Sequence, residues 1–302
     1  MASQTIGADQ IHPPARDSLS LSLLKYLPPG TEHIPFKTVQ EVVYALQARQ
    51  ILLGLDLGRN QYLVFTEVNE QHFDEVADHG SNVRDLARVS GYDPHSGVLV
   101  FKLRGHVESL QLVRQLELLL VMKSFQMGLT ESIVPLGPAM FKIGNEDAAP
   151  IWKEADGAWE PLGETFTLTM VIEAGYSHTT KRLAFDARSW IKAQGSTVQL
   201  ALTIEIDYDR PQVTYRCWER PLSGRPSQVI KVLRKGDDTV VEGDTLLLSF
   251  EKLHARSKNS KKPTGRDITI TPADFKKMTA NIWKSINDRN IKRDALQKRP
   301  RQ

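Results

Sequence analysis

Five apolar residues at alternate positions, Val198, Leu200, Leu202, Ile204 and Ile206, set the strongest constraint on this chain. Successive side chains of a strand point to opposite faces, so this run predicts a strand with one buried face. Its surroundings extend the pattern. Thr165–Ala174 reads as a strand that is fully apolar at Met170–Ile172. Leu183–Lys192 reads as a helix with Leu183, Ala187, Trp190 and Ile191 on one face, ended by Gln194-Gly195-Ser196. After the alternating run, Asp207–Gln212 turns through Arg210-Pro211, and Val213–Trp218 is the expected hairpin partner. Strand, helix, strand and hairpin in succession predict an α/β protein.

The flanking segments fit the same class. Thr38 and Glu41 form a capping-box pattern ahead of Val39, Val42, Val43 and Leu46, so a helix is expected from Thr38, with a turn at Leu52–Gly58. Strands are expected at Tyr62–Thr66, Val98–Leu103, Ala139–Ile143, Val229–Leu233 and Leu246–Phe250. Phe73–Val89 is polar with helical spacing, and Gly91–Gly97 is turn-rich. The longest predicted helix, Val107–Met127, is apolar on much of its circumference and is expected to lie buried against a sheet, closed by Gly128. Thr271-Pro272 opens a last helix with Phe275, Met278, Ile282 and Ile286 on one face. The predicted organisation is a loosely ordered lead-in over 1–36, one α/β domain over 37–251, and a basic linker and helix over 252–302.

Composition narrows the class. The longest strongly apolar run, Leu118–Met122, is far short of the ~20 residues of a membrane-spanning helix, and the N-terminus has no apolar stretch of a secretory signal. One cysteine, Cys217, excludes an internal disulfide and points to a reducing, intracellular compartment, nuclear or cytoplasmic. The histidines are scattered without metal-ligand spacing. Net charge is only +3, yet residues 252–302 carry 15 Lys and Arg against four Asp, which leaves the rest of the chain acidic. A basic tail of this kind suits contact with DNA or RNA, or a nuclear address; a solvated helix is the plainer reading.

The chemistry-bearing residues gather mid-chain. Asp156 lies in Lys153-Glu154-Ala155-Asp156. Glu173 stands in Val171-Ile172-Glu173-Ala174-Gly175, where a carboxylate closing an apolar strand needs a partner. Asp186 and Arg188 follow on the next helix. Two acids brought together could hold a hard cation such as Mg²⁺, which polarises a phosphate and activates water. Each acid also has a local explanation: Asp156 as a turn residue, Glu173 in an ion pair with Lys181 or Arg182, and Glu108 complementing a helix N-terminus.

This order of elements resembles the PD-(D/E)XK nuclease superfamily, the restriction-endonuclease-like fold, and looks most like filamentous-fungal members of it. The matching stretches are His106-Val107-Glu108, Lys153-Glu154-Ala155-Asp156-Gly157-Ala158-Trp159, Ile172-Glu173-Ala174-Gly175-Tyr176-Ser177, Asp186-Ala187-Arg188-Ser189-Trp190 and Cys217-Trp218-Glu219, over about residues 100–220. The resemblance implies a central mixed sheet flanked by helices, here with a basic helical C-terminal tail. It implies a Mg²⁺-dependent nuclease in which Asp156 and Glu173 hold the metal, Glu108 assists, and Lys181 or Arg188 stabilises the phosphate. The fold often works as a homodimer. Two departures stand out: Ala155 replaces the proline before Asp156, and Gly175 replaces the lysine two residues after Glu173. Arginine is a weak substitute base because it stays protonated. A non-catalytic module binding nucleic acid or protein on the same fold, and an accessory protein acting through protein contacts, use the same residues differently.

Overall fold

Two sheets flank one helix in the computed structural model, which describes residues 23–55, 60–78, 80–104, 107–129, 132–143, 150–163, 167–254 and 266–297. The first sheet contains β1 (Glu32–Pro35), β2 (Tyr62–Thr66), β3 (Ala87–Asp93), β4 (Val98–Leu103), β6 (Met140–Ile143) and β7 (Ile151–Glu154), in the order β1-β2-β4-β3-β7-β6. The second contains β5 (Ile133–Pro135), β8 (Gly157–Pro161), β9 (Met170–Tyr176), β10 (Leu200–Asp207), β11 (Gln212–Glu219), β12 (Gln228–Lys235) and β13 (Asp238–Glu242), in the order β13-β12-β11-β10-β9-β8-β5. Both are mixed: β1 runs parallel to β2 and β9 parallel to β10, and the other pairs are antiparallel. A small antiparallel pair, β14 (Leu246–Leu248) and β15 (Ile268–Ile270), stands apart.

Seven helices are described. α1 (Val39–Leu55), α2 (Glu70–Asp78) and α3 (Gly80–Leu86) cover the outer face of the first sheet, where Val42, Leu46, Phe73 and Val83 meet Leu63, Phe65 and Phe101. α4 (Val107–Gln126) and α7 (Pro272–Gln297) cover the outer face of the second, and α6 (Phe250–Leu253) is a single turn. α5 (Thr180–Lys192) links parallel β9 to β10 and lies between the two sheets. Its Trp190 packs edge-on to Phe141 of the first sheet, while Val171 and Ala201 of the second share its apolar cluster.

Alternation along β10 works as the sequence predicts from Leu200 onward, whereas Val198 lies ahead of the strand in the cluster around Trp190; β9 also alternates, running Met170–Tyr176 with Glu173 at its centre instead of closing at Ala174. Met170, Ile172, Ala174 and Tyr176, with Leu200, Leu202, Ile204 and Ile206, all join the core under α4 and α7. At about 25 cal/mol per Å² of apolar area, this face is the main source of cohesion. The predicted strands Tyr62–Thr66 and Val98–Leu103 stand as expected. Thr38 Oγ1 accepts from Glu41 N at 3.2 Å, and Thr271 with Asp274 forms the reciprocal cap at the start of α7.

Several expectations change. Phe73–Val89 is not one helical segment: α3 ends at Leu86 and β3 begins at Ala87, running through Asp93 into the region expected to be turn. The turn expected from Leu52 is helix as far as Leu55. The strand expected over Leu246–Phe250 stops at Leu248, because Ser249 caps α6 by accepting from Lys252 N at 3.4 Å. α4 does lie against a sheet as expected, through Leu112, Leu116 and Leu120, and its other side carries exposed Leu118, Met122 and Phe125. Within the predicted lead-in, β1 pairs with β2 and Leu23 is buried. α7 packs Phe275, Met278, Ile282, Trp283 and Ile286 into the main core and turns Lys276, Lys277 and Lys284 outward. Residues 1–22, His106, residues 255–265 of the basic linker, and 298–302 lie outside the described residues.

Candidate functional site

The two acids singled out in the sequence do come together. Asp156 stands in the short connection between β7 and β8, and Glu173 in the middle of β9, pointing toward α5 and the first sheet. Gly157 permits this tight connection: a Cβ there would lie 2.7 Å from Glu117 Oε1. Asp156 Oδ2 accepts from Ala174 N at 2.8 Å, which ties the connection to β9.

The cations facing them come from the other sheet. Arg88 in β3 and Lys102 in β4 are direct cross-strand partners, an arrangement of like charges that needs anions to hold it. Arg88 Nη2 donates to Glu173 Oε2 and, at 3.2 Å, to Asp156 Oδ2. Its Nε lies 2.8 Å from Asp156 Oδ1, an ion contact without hydrogen-bond alignment. Its Nη1 donates to the Glu154 carbonyl. Lys102 Nζ donates to Asp156 Oδ2 at 3.0 Å and to the Ala174 carbonyl, and lies 4.0 Å from Glu173 Oε2. The remaining Glu173 oxygen accepts from Trp190 Nε1 at 2.7 Å.

Burial makes these contacts consequential. The Glu173 side chain is 0% exposed, Arg88 2% and Asp156 21%. Burial alone would raise the Asp156 pKa; the charges of Arg88 and Lys102 more than offset it and hold the carboxyl well below its usual range. Burial opposes the charge of Arg88, but Asp156 and Glu173 outweigh it and raise its pKa. For Lys102, burial and neighbouring Arg88 win over the acids and lower its pKa.

A second ionic group continues the layer. Asp186 of α5 meets Arg182 Nε at 3.1 Å and Lys153 Nζ at 3.3 Å, and Lys153 also donates to Ser189 Oγ at 2.7 Å. Arg182 donates to the carbonyls of Leu23 at 2.5 Å and Lys25 at 3.0 Å, and to Ser90 Oγ at 3.2 Å. Its guanidinium lies over the Tyr62 ring.

The other sequence candidates lie elsewhere. Glu108 is buried in the first turn of α4, where its carboxylate accepts from Ser285 at 2.5 Å and Tyr208 at 3.4 Å, on the α7 side. Lys181 is exposed, and Arg188 lies over the Trp218 ring. Gly175 explains why no lysine follows Glu173: a Cβ there would meet Thr179 Oγ1 at 2.8 Å and Leu183. Arg88 and Lys102 were the residues sequence reasoning missed. A lysine inside the apolar run Val98–Leu103 was the available signal, since lysine is seldom buried without a partner.

The site opens into a cleft of about 1000 Å³ between α4 and the first sheet. Its floor is formed by Arg88, Lys102, Glu154 and Asp156, and Arg84, Arg104 and Arg114 contribute further guanidinium groups. With Asp85 included, the lining holds five cations and three carboxylates, and Glu173 and Glu117, paired with Arg88 and Arg114 from behind it, bring the two to equal number. Arg104 is 28% exposed and is fixed by Glu154 at 2.6 Å and by the Arg84 carbonyl at 2.5 Å. Apolar walls at Phe73, Val76, Phe101 and Leu110 complete it.

The acid pair does not fit a hard divalent cation as it stands. Mg²⁺ takes oxygen ligands with charge to spare. Here both carboxylates meet two buried cations, and each of their four oxygens already has a partner. Among the described residues, no group of three or more His, Cys, Asp or Glu is placed to hold a metal ion. No helix among them is long and apolar enough to cross a membrane. Comparison with protein-family models and with curated proteins returns no match for this chain.

Proposed function

We propose that this protein is a non-hydrolytic phosphodiester-binding module on a restriction-endonuclease-like scaffold, taking a nucleic-acid strand into its arginine-lined cleft. The observation that carries this reading is Arg88, buried and in contact with both Asp156 and Glu173, with Lys102 beside them. Acids neutralised in this way neither hold a metal nor generate a nucleophile, whereas the cleft above them is lined by the guanidinium groups of Arg84, Arg104 and Arg114. The scaffold part rests on the order α4, β5, β8, β9, α5, β10 around the second sheet, interrupted after β5 by β6 and β7 of the first, with Asp156 ahead of β8 and Glu173 within β9. Arg84, Arg104 and Arg114 would meet phosphates, and Lys276, Lys277 and Lys284 on α7 would add sequence-independent contacts.

Fluorescence anisotropy with labelled single-stranded DNA and RNA tests it. Binding should weaken steeply with salt, and Arg114→Glu combined with Arg84→Glu should weaken it about tenfold or more at low salt. No strand should be cut in Mg²⁺ or Mn²⁺. Metal-dependent cleavage that disappears in Glu173→Gln would replace this reading with that of an active nuclease.

A further inference from the structure

We infer that Arg88 is the resident cation of the Asp156–Glu173 pair, a guanidinium held where these oxygens would otherwise receive a divalent ion, so that vacating it converts the pair into a divalent-cation site. The inference deepens the reading above and rests on it, because it says what neutralises the acids.

Oxygens of three residues converge on this one side chain. Glu173 Oε2 and Asp156 Oδ2 share its Nη2, Asp156 Oδ1 lies 2.8 Å from Nε, and the Glu154 main-chain carbonyl accepts from Nη1. Two carboxylates and a carbonyl are the donor set that Mn²⁺, Mg²⁺ and Ca²⁺ prefer. They come from the end of β7, the β7–β8 connection and β9, whereas Arg88 reaches them from β3. Removing Arg88 therefore leaves the oxygens on their own backbone supports. The Ala174 amide still fixes Asp156 at 2.8 Å, and the Trp190 indole still fixes Glu173 at 2.7 Å.

Charge points the same way. With Arg88 present, two cations balance two anions. Without it, Lys102 alone faces both carboxylates, at 3.0 and 4.0 Å, and the site carries an uncompensated negative charge. A divalent ion more than offsets that negative charge, taking the group to one net positive, and can bring its own waters into the space the side chain leaves. The substitution has a second consequence. Arg88 Nη1 donates to the Glu154 carbonyl and Glu154 holds Arg104, so Arg88 also helps position a second guanidinium of the cleft.

The test is thermal unfolding of the full chain in EDTA and in millimolar Mn²⁺, with Mn²⁺ electron paramagnetic resonance to count bound ions. Wild type should show no shift and no site-bound Mn²⁺. Arg88→Ala should melt lower, recover at least about 3 °C in Mn²⁺, and lose that recovery when Glu173→Gln is added. Arg88→Met, which refills the space, should recover less. If Arg88→Ala does not fold in EDTA, its refolding yield in Mn²⁺ gives the same reading. Wild-type Mn²⁺ binding lost in Glu173→Gln would overturn the inference. So would an Arg88→Ala protein indifferent to Mn²⁺, or one that fails to refold in both media. Nucleic-acid binding by metal-free wild type is measured separately, so loss of the functional reading and loss of this inference are told apart.

Discussion

The two faces of the second sheet are built from the same strands and held by different physics. On β9, Met170, Ile172 and Ala174 enter an apolar core under α4 and α7, while Glu173 enters an ionic layer against α5 and the first sheet. The apolar face gains from every buried atom and tolerates small changes in shape. The ionic face gains only while its charges stay matched, because each ion buried there has lost its water. One face supplies cohesion, and the other fixes how the two sheets align.

Removing one partner from the ionic face should break the comparison most severely. Glu173→Ala leaves Arg88 short of an anion and is expected to cost about 3–5 kcal/mol in denaturant unfolding; a loss under about 1 kcal/mol would mean the layer is solvated. Removing the partners together should cost less than the single changes added. Arg88→Met with Glu173→Leu is expected to show a coupling of about 2 kcal/mol in a double-mutant cycle. On the apolar face, Ile172→Val should cost about 1 kcal/mol, a loss of methylene burial with no charge left behind.

Acid titration separates the faces again. The Asp156 carboxyl is held below its ordinary value, so its contribution is complete above about pH 4 and is lost as pH falls through its folded-state value. Asp156→Asn should flatten stability against pH in that acidic range, and an unchanged slope would show that other carboxylates dominate acid unfolding. The smallest effect is expected at the cleft rim. Arg114, 45% exposed and paired with Glu117, should cost less than about 1 kcal/mol as Arg114→Ala, while nucleic-acid affinity falls.

The same contrast accounts for what was readable in the sequence. Alternation at Val198–Ile206 and the apolar strands at Tyr62–Thr66 and Val98–Leu103 announce themselves, because burial on a pleated surface follows local pattern. Asp156 and Glu173 were legible as acids in the wrong surroundings. Their partners were not, since pairing across 85 residues leaves no local pattern, and Arg88 sits inside the polar segment Phe73–Val89, whose spacing resembles a helix. Glu108 carried two readings for a related reason: an acid in the first turn of a helix looks the same whether it faces a cleft or the hydroxyls of Tyr208 and Ser285.

Synthesis from N- to C-terminus gives the Arg88–Lys102 pair a temporal meaning. Both cations leave the ribosome on neighbouring strands well before Glu173 is made, 85 residues after Arg88. At about 5–20 residues per second, that interval is roughly 4–17 s. During it the first sheet carries two adjacent positive charges whose counter-ions do not yet exist. That sheet, which also lacks its strands β6 and β7 at that stage, is complete and charge-matched only once the chain has been made through Glu173.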